Sequence, residues 1–210
     1  MSIFIIYYLK SLFSAAKASL SRTSLSKMIG ISKTSITNVI KDLLKKEIIE
    51  ETGLAKSSGG RKPVVLKIKA NSGYGIGVDI GSLNTRTIII DLDSKIIVEE
   101  KCPTEANKGQ EFVLNKTINQ ITSIIKNSNI DSNKIKGIGI SISGMVNNEG
   151  NIIMCPNMHG WENIELKKIL KEKFKIKIFV DDSSRLKTLA ESKFGVAKGI
   201  KNFFYMDIGI

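Results

Sequence analysis

Apolar residues recur with two different periods along this chain, and the change falls near residue 74. Before it, Ile5, Tyr8, Leu9, Leu12 and Phe13 follow the i, i+3, i+4, i+7, i+8 spacing of a helix with one buried face. A second short helix is predicted over residues 23–29, with Leu25 and Met28 turned inward. Gly30-Ile31-Ser32 reads as a tight turn, since glycine accepts a positive φ and Ser32 is a good helix N-cap. A third helix is predicted over residues 33–44, burying Ile36, Val39, Ile40, Leu43 and Leu44. Its other face carries Lys33, Thr34, Ser35, Thr37, Asn38 and Lys41, short hydrogen-bonding groups and cations that suit a DNA major groove. Residues 47–51 and 63–69 read as two strands. Between them runs Leu54-Ala55-Lys56-Ser57-Ser58-Gly59-Gly60-Arg61-Lys62, a basic-tipped loop. Three helices and such a hairpin make a winged helix-turn-helix, mainly α with a β-wing. Gly60, Arg61 and Lys62 are then candidates to reach phosphates or a minor groove.

After residue 74 the period shortens. Residues 75–80, 85–91 and 95–102 are apolar runs separated by turns, as in an antiparallel meander. A helix over 111–126 is expected to bury Val113, Leu114, Ile118, Ile121, Ile124 and Ile125. A strand over 135–143, a helix over 163–174, a strand over 176–180, a helix over 184–194 and a strand over 202–208 follow. This succession predicts an α/β lobe with a mixed sheet, of the ribonuclease-H-like kind found in actin-like ATPases and sugar kinases. The expected division is residues 1–70 and 74–210.

Charge sharpens that division. Of the net +12, residues 1–70 hold 13 Lys/Arg against 4 Asp/Glu, and residues 71–210 hold 19 against 16. The concentration of basic charge in the small first segment points to a polyanion partner, most simply double-stranded DNA. Cys102 and Cys155 form no CxxC pair, and His159 is the single histidine. A zinc site needs about four Cys/His ligands, so none is expected in this chain. Two isolated cysteines fit a reducing cytoplasm. The apolar run at residues 3–9 is short, lacks a basic leader and stops at Lys10, so neither a signal peptide nor a membrane span of about 20 residues is expected.

Several motifs carry a family resemblance. Ser57-Ser58-Gly59-Gly60-Arg61-Lys62-Pro63 precedes Gly75-Ile76-Gly77-Val78-Asp79-Ile80-Gly81. Gly137-Ile138-Gly139-Ile140-Ser141-Ile142-Ser143-Gly144-Met145-Val146 is a glycine-rich strand and loop. Pro156-Asn157-Met158-His159-Gly160-Trp161 and Val180-Asp181-Asp182 follow, then Leu189-Ala190-Glu191. As an ordered set these resemble the ROK family of repressors, open reading frames and kinases. The leading winged helix matches its regulators of xylose-repressor type.

The resemblance implies a sugar-responsive repressor of carbohydrate-utilisation genes that binds a monosaccharide effector and operator DNA, as a homodimer when full length. It also implies that this chain is truncated, the family's zinc site belonging to the absent C-terminal half. Asp182 takes the position of the general base in ROK sugar kinases, and Asp181 stands where the family often has asparagine. Ser143, Gly144 and Asn157 are further candidates to line the sugar cleft. Asp79 and Gly81 keep the start of a phosphate hairpin, but Ser82-Leu83 replaces the Gly-Thr expected of a kinase, so the loop reads as vestigial and the chain as no enzyme. His159 is expected to be a loop residue and Trp161 a packing anchor. The other readings are an ATP-dependent sugar kinase and a non-functional fragment of a regulator.

Overall fold

The computed structural model describes residues 20–54 and 63–207, in two compact units: the first runs to Tyr74 and also takes in Asp91–Lys95, and the second holds Gly75–Ile90 and the described residues from Ile96 on. The predicted helix around residues 5–13, the tip of the predicted wing with Gly60, Arg61 and Lys62, and the last three residues lie outside the described ones.

In the first unit, α1 (Arg22–Ile29) starts at a capping box in which the Ser21 hydroxyl accepts from the Ser24 N–H and the Ser24 side chain returns the bond. It stops at Gly30, whose φ of 75° is the left-handed conformation that ends helices. Ser32 then caps α2 (Lys33–Lys45). Strands β1 (Ile49–Leu54) and β2 (Val64–Ile68) pair antiparallel from Ile49↔Ile68 to Leu54↔Val64, with a bulge between Glu51 and Gly53. Leu20, Leu25, Ile36, Ile40, Leu43, Ile49, Leu66 and Ile68 form the core of this unit. Each such side chain contributes roughly 1.5–3 kcal/mol by leaving water.

Two expectations fail here. Met28 and Val39 were expected inside and are 46% and 44% exposed. The buried line of α2 is Ile36, Ile40 and Leu43, and Val39 lies about 100° round the helix from Ile40. In α1 the buried residue is Leu25 alone. The first strand also begins later than expected, because Glu47 has a φ of 52° and closes the helix end rather than opening a strand.

The second unit is built on a five-stranded sheet in the order β10-β6-β3-β4-β5. These are β3 (Tyr74–Ile80), β4 (Asn84–Asp91), β5 (Ile96–Pro103), β6 (Ile135–Ile142) and β10 (Ile178–Asp182). β4 and β5 pair antiparallel, whereas β10 runs parallel to β6. The sheet is therefore mixed, as the pattern predicted. Alternation explains its burial: Ile76, Val78 and Ile80 on β3, and Ile138, Ile140 and Ile142 on β6, are buried at every second position. Helix α3 (Gln110–Asn127) buries Val113, Ile121 and Ile124 and reaches β5 through Gln120, whose side-chain amide donates to the Glu100 carbonyl at 3.3 Å.

Between β6 and the next helix the chain makes a second, three-stranded sheet that the sequence pattern did not predict. It consists of β7 (Met145–Val146), β8 (Ile152–Met154) and β9 (Glu162–Ile164) in that order. The helix expected from residue 163 therefore starts at Leu166 (α4, Leu166–Phe174), since Asn163 has a φ of 53° and Ile164 pairs with Ile152. α5 (Ser183–Phe194) follows β10. The strand expected over 202–208 is absent from residues 203–207. Phe204 and Met206 are 84% and 66% exposed, and this stretch is held through an ion pair of Asp207 with Lys187 rather than by a ladder.

Candidate functional site

Parallel strands β6 and β10 end side by side, with Ser141 opposite Asp181 and Ile142 opposite Asp182. Both chains leave the sheet at the same carboxyl edge, where open α/β sheets form ligand crevices. A cleft of about 580 Å³ lies there, lined by Ser143 and Gly144 after β6, Asn157 in the loop after β8, and Asp182 to Arg185 at the start of α5. The structure thus brings Ser143, Gly144, Asn157 and Asp182 together. Asp181 lies beside the cleft and not in its lining.

Asp182 has a local task. Its Oδ1 accepts the N–H groups of Ser184 at 2.9 Å and Arg185 at 3.0 Å, so it is the N-cap of α5. Its negative charge also opposes the positive end of that helix. Both bonds fall on one oxygen, and neither uses Oδ2. Asp181 turns its Oδ1 to the Asp182 N–H at 2.8 Å and to the Arg185 guanidinium at 2.5 Å.

Gly144 is fixed by close approach. A Cβ there would lie 2.4 Å from Cys155 Sγ and 2.6 Å from the Met154 carbonyl oxygen. Burial pushes the Cys155 thiol up to about 11, with the neighbouring Asp182 charge adding to the effect, so this sulfur is a packing group and not a nucleophile at neutral pH. Trp161 is 1% exposed and anchors the loop: its backbone N–H donates to the Met158 carbonyl at 3.2 Å, and its backbone carbonyl accepts from Cys155 N–H at 2.9 Å. His159 is exposed.

Two site residues escaped the sequence reading. Arg185 lines the cleft and its Nη2 also donates to the Val146 carbonyl at 2.8 Å. Ser183 is buried, with its hydroxyl 3.4 Å from that of Ser143. A polar residue at the helix start was visible as a signal; its partners, some 40 residues earlier, were not.

Asp79 is exposed near the end of β3. Gly81 sits in the β3–β4 turn, its N–H donating to the Asn84 carbonyl at 3.1 Å and its carbonyl accepting from the Thr104 hydroxyl at 2.6 Å. Leu83 stands at the tip of that turn, 71% exposed.

In the first unit, Lys33, Thr34, Ser35, Asn38 and Lys41 are solvent-exposed on α2. Thr34, Asn38 and Lys41 form one stripe opposite the buried line. Thr37 is half-buried and donates to the Lys33 carbonyl at 2.7 Å, while the Ser35 hydroxyl is within 2.9 Å of that of Ser32. Among the described residues no group of three or more His, Cys, Asp or Glu could hold a metal ion, and no helix is long and apolar enough to cross a membrane.

The chain belongs to the ROK family, whose family model matches residues 75–210. It carries a kinase-like lobe of the actin-like fold. It is similar to the xylose repressor of Bacillus spizizenii, at 32% identity over 189 residues covering 90% of this chain and 49% of that protein. The crystal structure of a ROK-family transcriptional regulator, a homologue of the E. coli MLC protein, is similar with a TM-score of 0.70 at 23% identity, covering 85% of this chain and 45% of that one. The ROK hexokinase of Thermus thermophilus is similar with a TM-score of 0.52 at 21% identity, covering 60% of this chain and 40% of that one. The chain spans about half the length of the curated relatives it matches.

Proposed function

We propose that this chain serves a sugar-responsive transcriptional repressor of carbohydrate-utilisation genes, with xylose the first effector to test. The observation that carries the reading is the extent of the likeness: similarity to a protein named as a xylose repressor covers 90% of the chain and so reaches well outside the kinase-like lobe. In this reading residues 1–70 are a winged helix-turn-helix and residues 74–210 a ROK kinase-like lobe. α2 is the recognition helix, and Gly60, Arg61 and Lys62 are the wing's contacts with the backbone of double-stranded operator DNA. The protein acts in the cytoplasm and pairs as a homodimer on a palindromic site.

The cleft at Ser143, Gly144, Asn157 and Asp182 then receives a monosaccharide without phosphoryl transfer. With Oδ1 of Asp182 taken by two helix N–H groups, Oδ2 is the oxygen left to accept a hydrogen bond from a sugar hydroxyl, and the exposed Leu83 side chain offers phosphate oxygens no donor. Sugar binding shifts the population away from the DNA-competent state.

The test is binding to upstream DNA of neighbouring sugar-utilisation genes across a salt series. Affinity that falls steeply with salt and drops in Asn38→Ala and Lys41→Ala is expected. Absent or salt-insensitive binding, unchanged by those substitutions, contradicts it. ATP-dependent sugar turnover that vanishes in Asp182→Asn would establish the kinase reading instead.

A further inference from the structure

Only part of the polar surface of α2 is free to meet a partner. At 100° per residue, Thr34, Asn38, Lys41 and Lys45 fall within about 60° of one another, a stripe about 16 Å long on the side away from Ile36, Ile40 and Leu43. All four are exposed. The neighbouring hydroxyls are engaged within the protein. That of Thr37 donates to the Lys33 carbonyl at 2.7 Å, and that of Ser35 lies 2.9 Å from the Ser32 hydroxyl, which also accepts the Ser35 N–H at 3.1 Å. Asp42, next to the stripe, is paired with Lys46 at 2.6 Å, whereas Lys41 and Lys45 have no ion pair among the described residues. The stripe therefore keeps its positive charge.

Asn38 differs from the other three in carrying a planar amide, with a donor and an acceptor side by side. Asparagine is a poor residue for a helix interior, because its side chain competes for backbone groups. Here its side chain has no hydrogen-bond partner among the described residues, so it gives the fold nothing that alanine would not. In the major groove one base edge matches it. Adenine presents the N7 acceptor beside the N6 donor, which Nδ2 and Oδ1 can meet together. Guanine presents two acceptors, N7 and O6, and would set O6 against Oδ1.

Resting on the reading of α2 as a recognition helix, we propose that Asn38 is its base-reading residue and that each operator half-site holds an adenine beneath it. Nδ2 donates to N7 and Oδ1 accepts from the N6 amino group. Lys41 and Lys45, compact charges on flexible stems, hold phosphates and add affinity without sequence.

The experiment selects duplexes with a randomised central segment on the unsubstituted 210-residue chain, then measures affinities for the selected duplex by fluorescence anisotropy. The selected sites should share an A·T pair at one fixed position in each half. Changing that adenine to guanine should weaken binding at least about tenfold, a gap of about 1.4 kcal/mol. Changing it to 7-deazaadenine, which lacks the N7 acceptor, should weaken binding at least about threefold. Asn38→Ala should melt no lower than the unsubstituted chain, yet bind all three duplexes within about twofold of one another. Lys41→Ala should weaken all three alike and reduce the salt slope by about one. The same preference for adenine in Asn38→Ala, or 7-deazaadenine bound as tightly as adenine by the unsubstituted chain, overturns the proposal and leaves DNA binding standing. Recovery of no duplex by the folded, unsubstituted chain defeats the DNA-binding reading, and this proposal with it.

Discussion

Arg185 and Val146 are joined by a hydrogen bond across 39 residues of sequence: the guanidinium Nη2 donates to the Val146 carbonyl at 2.8 Å. The bond fastens the edge of the small β7–β9 sheet to the first turn of α5, so two walls of the cleft share one side chain. The same nitrogen pairs with Asp181 at the end of β10. Arg185→Met should keep the apolar stem and lose both links. Because the side chain is 52% exposed, the expected stability loss is modest, about 1 kcal/mol by urea denaturation, with a larger effect on ligand affinity. Unchanged ligand affinity in a folded Arg185→Met would show that the walls hold without it.

Asp182 caps a helix and faces the cleft, and two substitutions separate these roles. Asp182→Ala removes the cap and should cost about 1 kcal/mol. Asp182→Asn keeps a good cap and should leave stability within about 0.5 kcal/mol while weakening the ligand. Equal loss of ligand affinity and stability in both variants would reduce Asp182 to a cap.

Gly144→Ala should destabilise the second unit by about 1–3 kcal/mol, since its Cβ would press on Cys155 Sγ and the Met154 carbonyl. Adding Cys155→Ala removes the sulfur but not the carbonyl, so the double variant should recover only part of the loss in chemical denaturation. Full recovery would mean that the sulfur was the whole obstacle.

Acid should reveal a surface cluster at the start of α3. Bonds to Lys108 first and Lys116 second hold the Glu105 carboxyl down at about 2, below its ordinary 4.5. A depressed carboxylate contributes stability above its unfolded pKa and loses it as pH falls through the folded value. The melting-temperature difference between the unsubstituted chain and Glu105→Gln should therefore be full at pH 6 and shrink from about pH 4.5 towards pH 2. A difference that does not change with pH would contradict this.

How much of this was readable in sequence depended on whether a period had room to repeat. Ile36, Ile40 and Leu43 announced α2, and the isoleucines of β6 announced a strand buried at alternate positions. β7 to β9 are two or three residues long and show no period, so Met145-Val146 read as loop and Asn163-Ile164 as the start of a helix. Phe204 and Met206 alternate as a strand should, but a strand also needs a partner to bond with. The acidic pair at 181–182 was visible beside a predicted helix start. That Asp181 holds Arg185 while Asp182 holds the helix was not, because both bonds depend on geometry at the β10–α5 junction.

In the proposed function, a sugar bound in the second unit governs DNA binding by the first. The direct measurement is fluorescence anisotropy of a labelled duplex from upstream of a sugar-utilisation gene, titrated with the chain at fixed salt, with and without xylose or glucose. Affinity for DNA should fall at least about tenfold with the effector sugar, and that response should be lost in Asp182→Asn while affinity without sugar is kept. DNA affinity that no uncharged sugar changes, in a chain that binds both DNA and sugar, would contradict it.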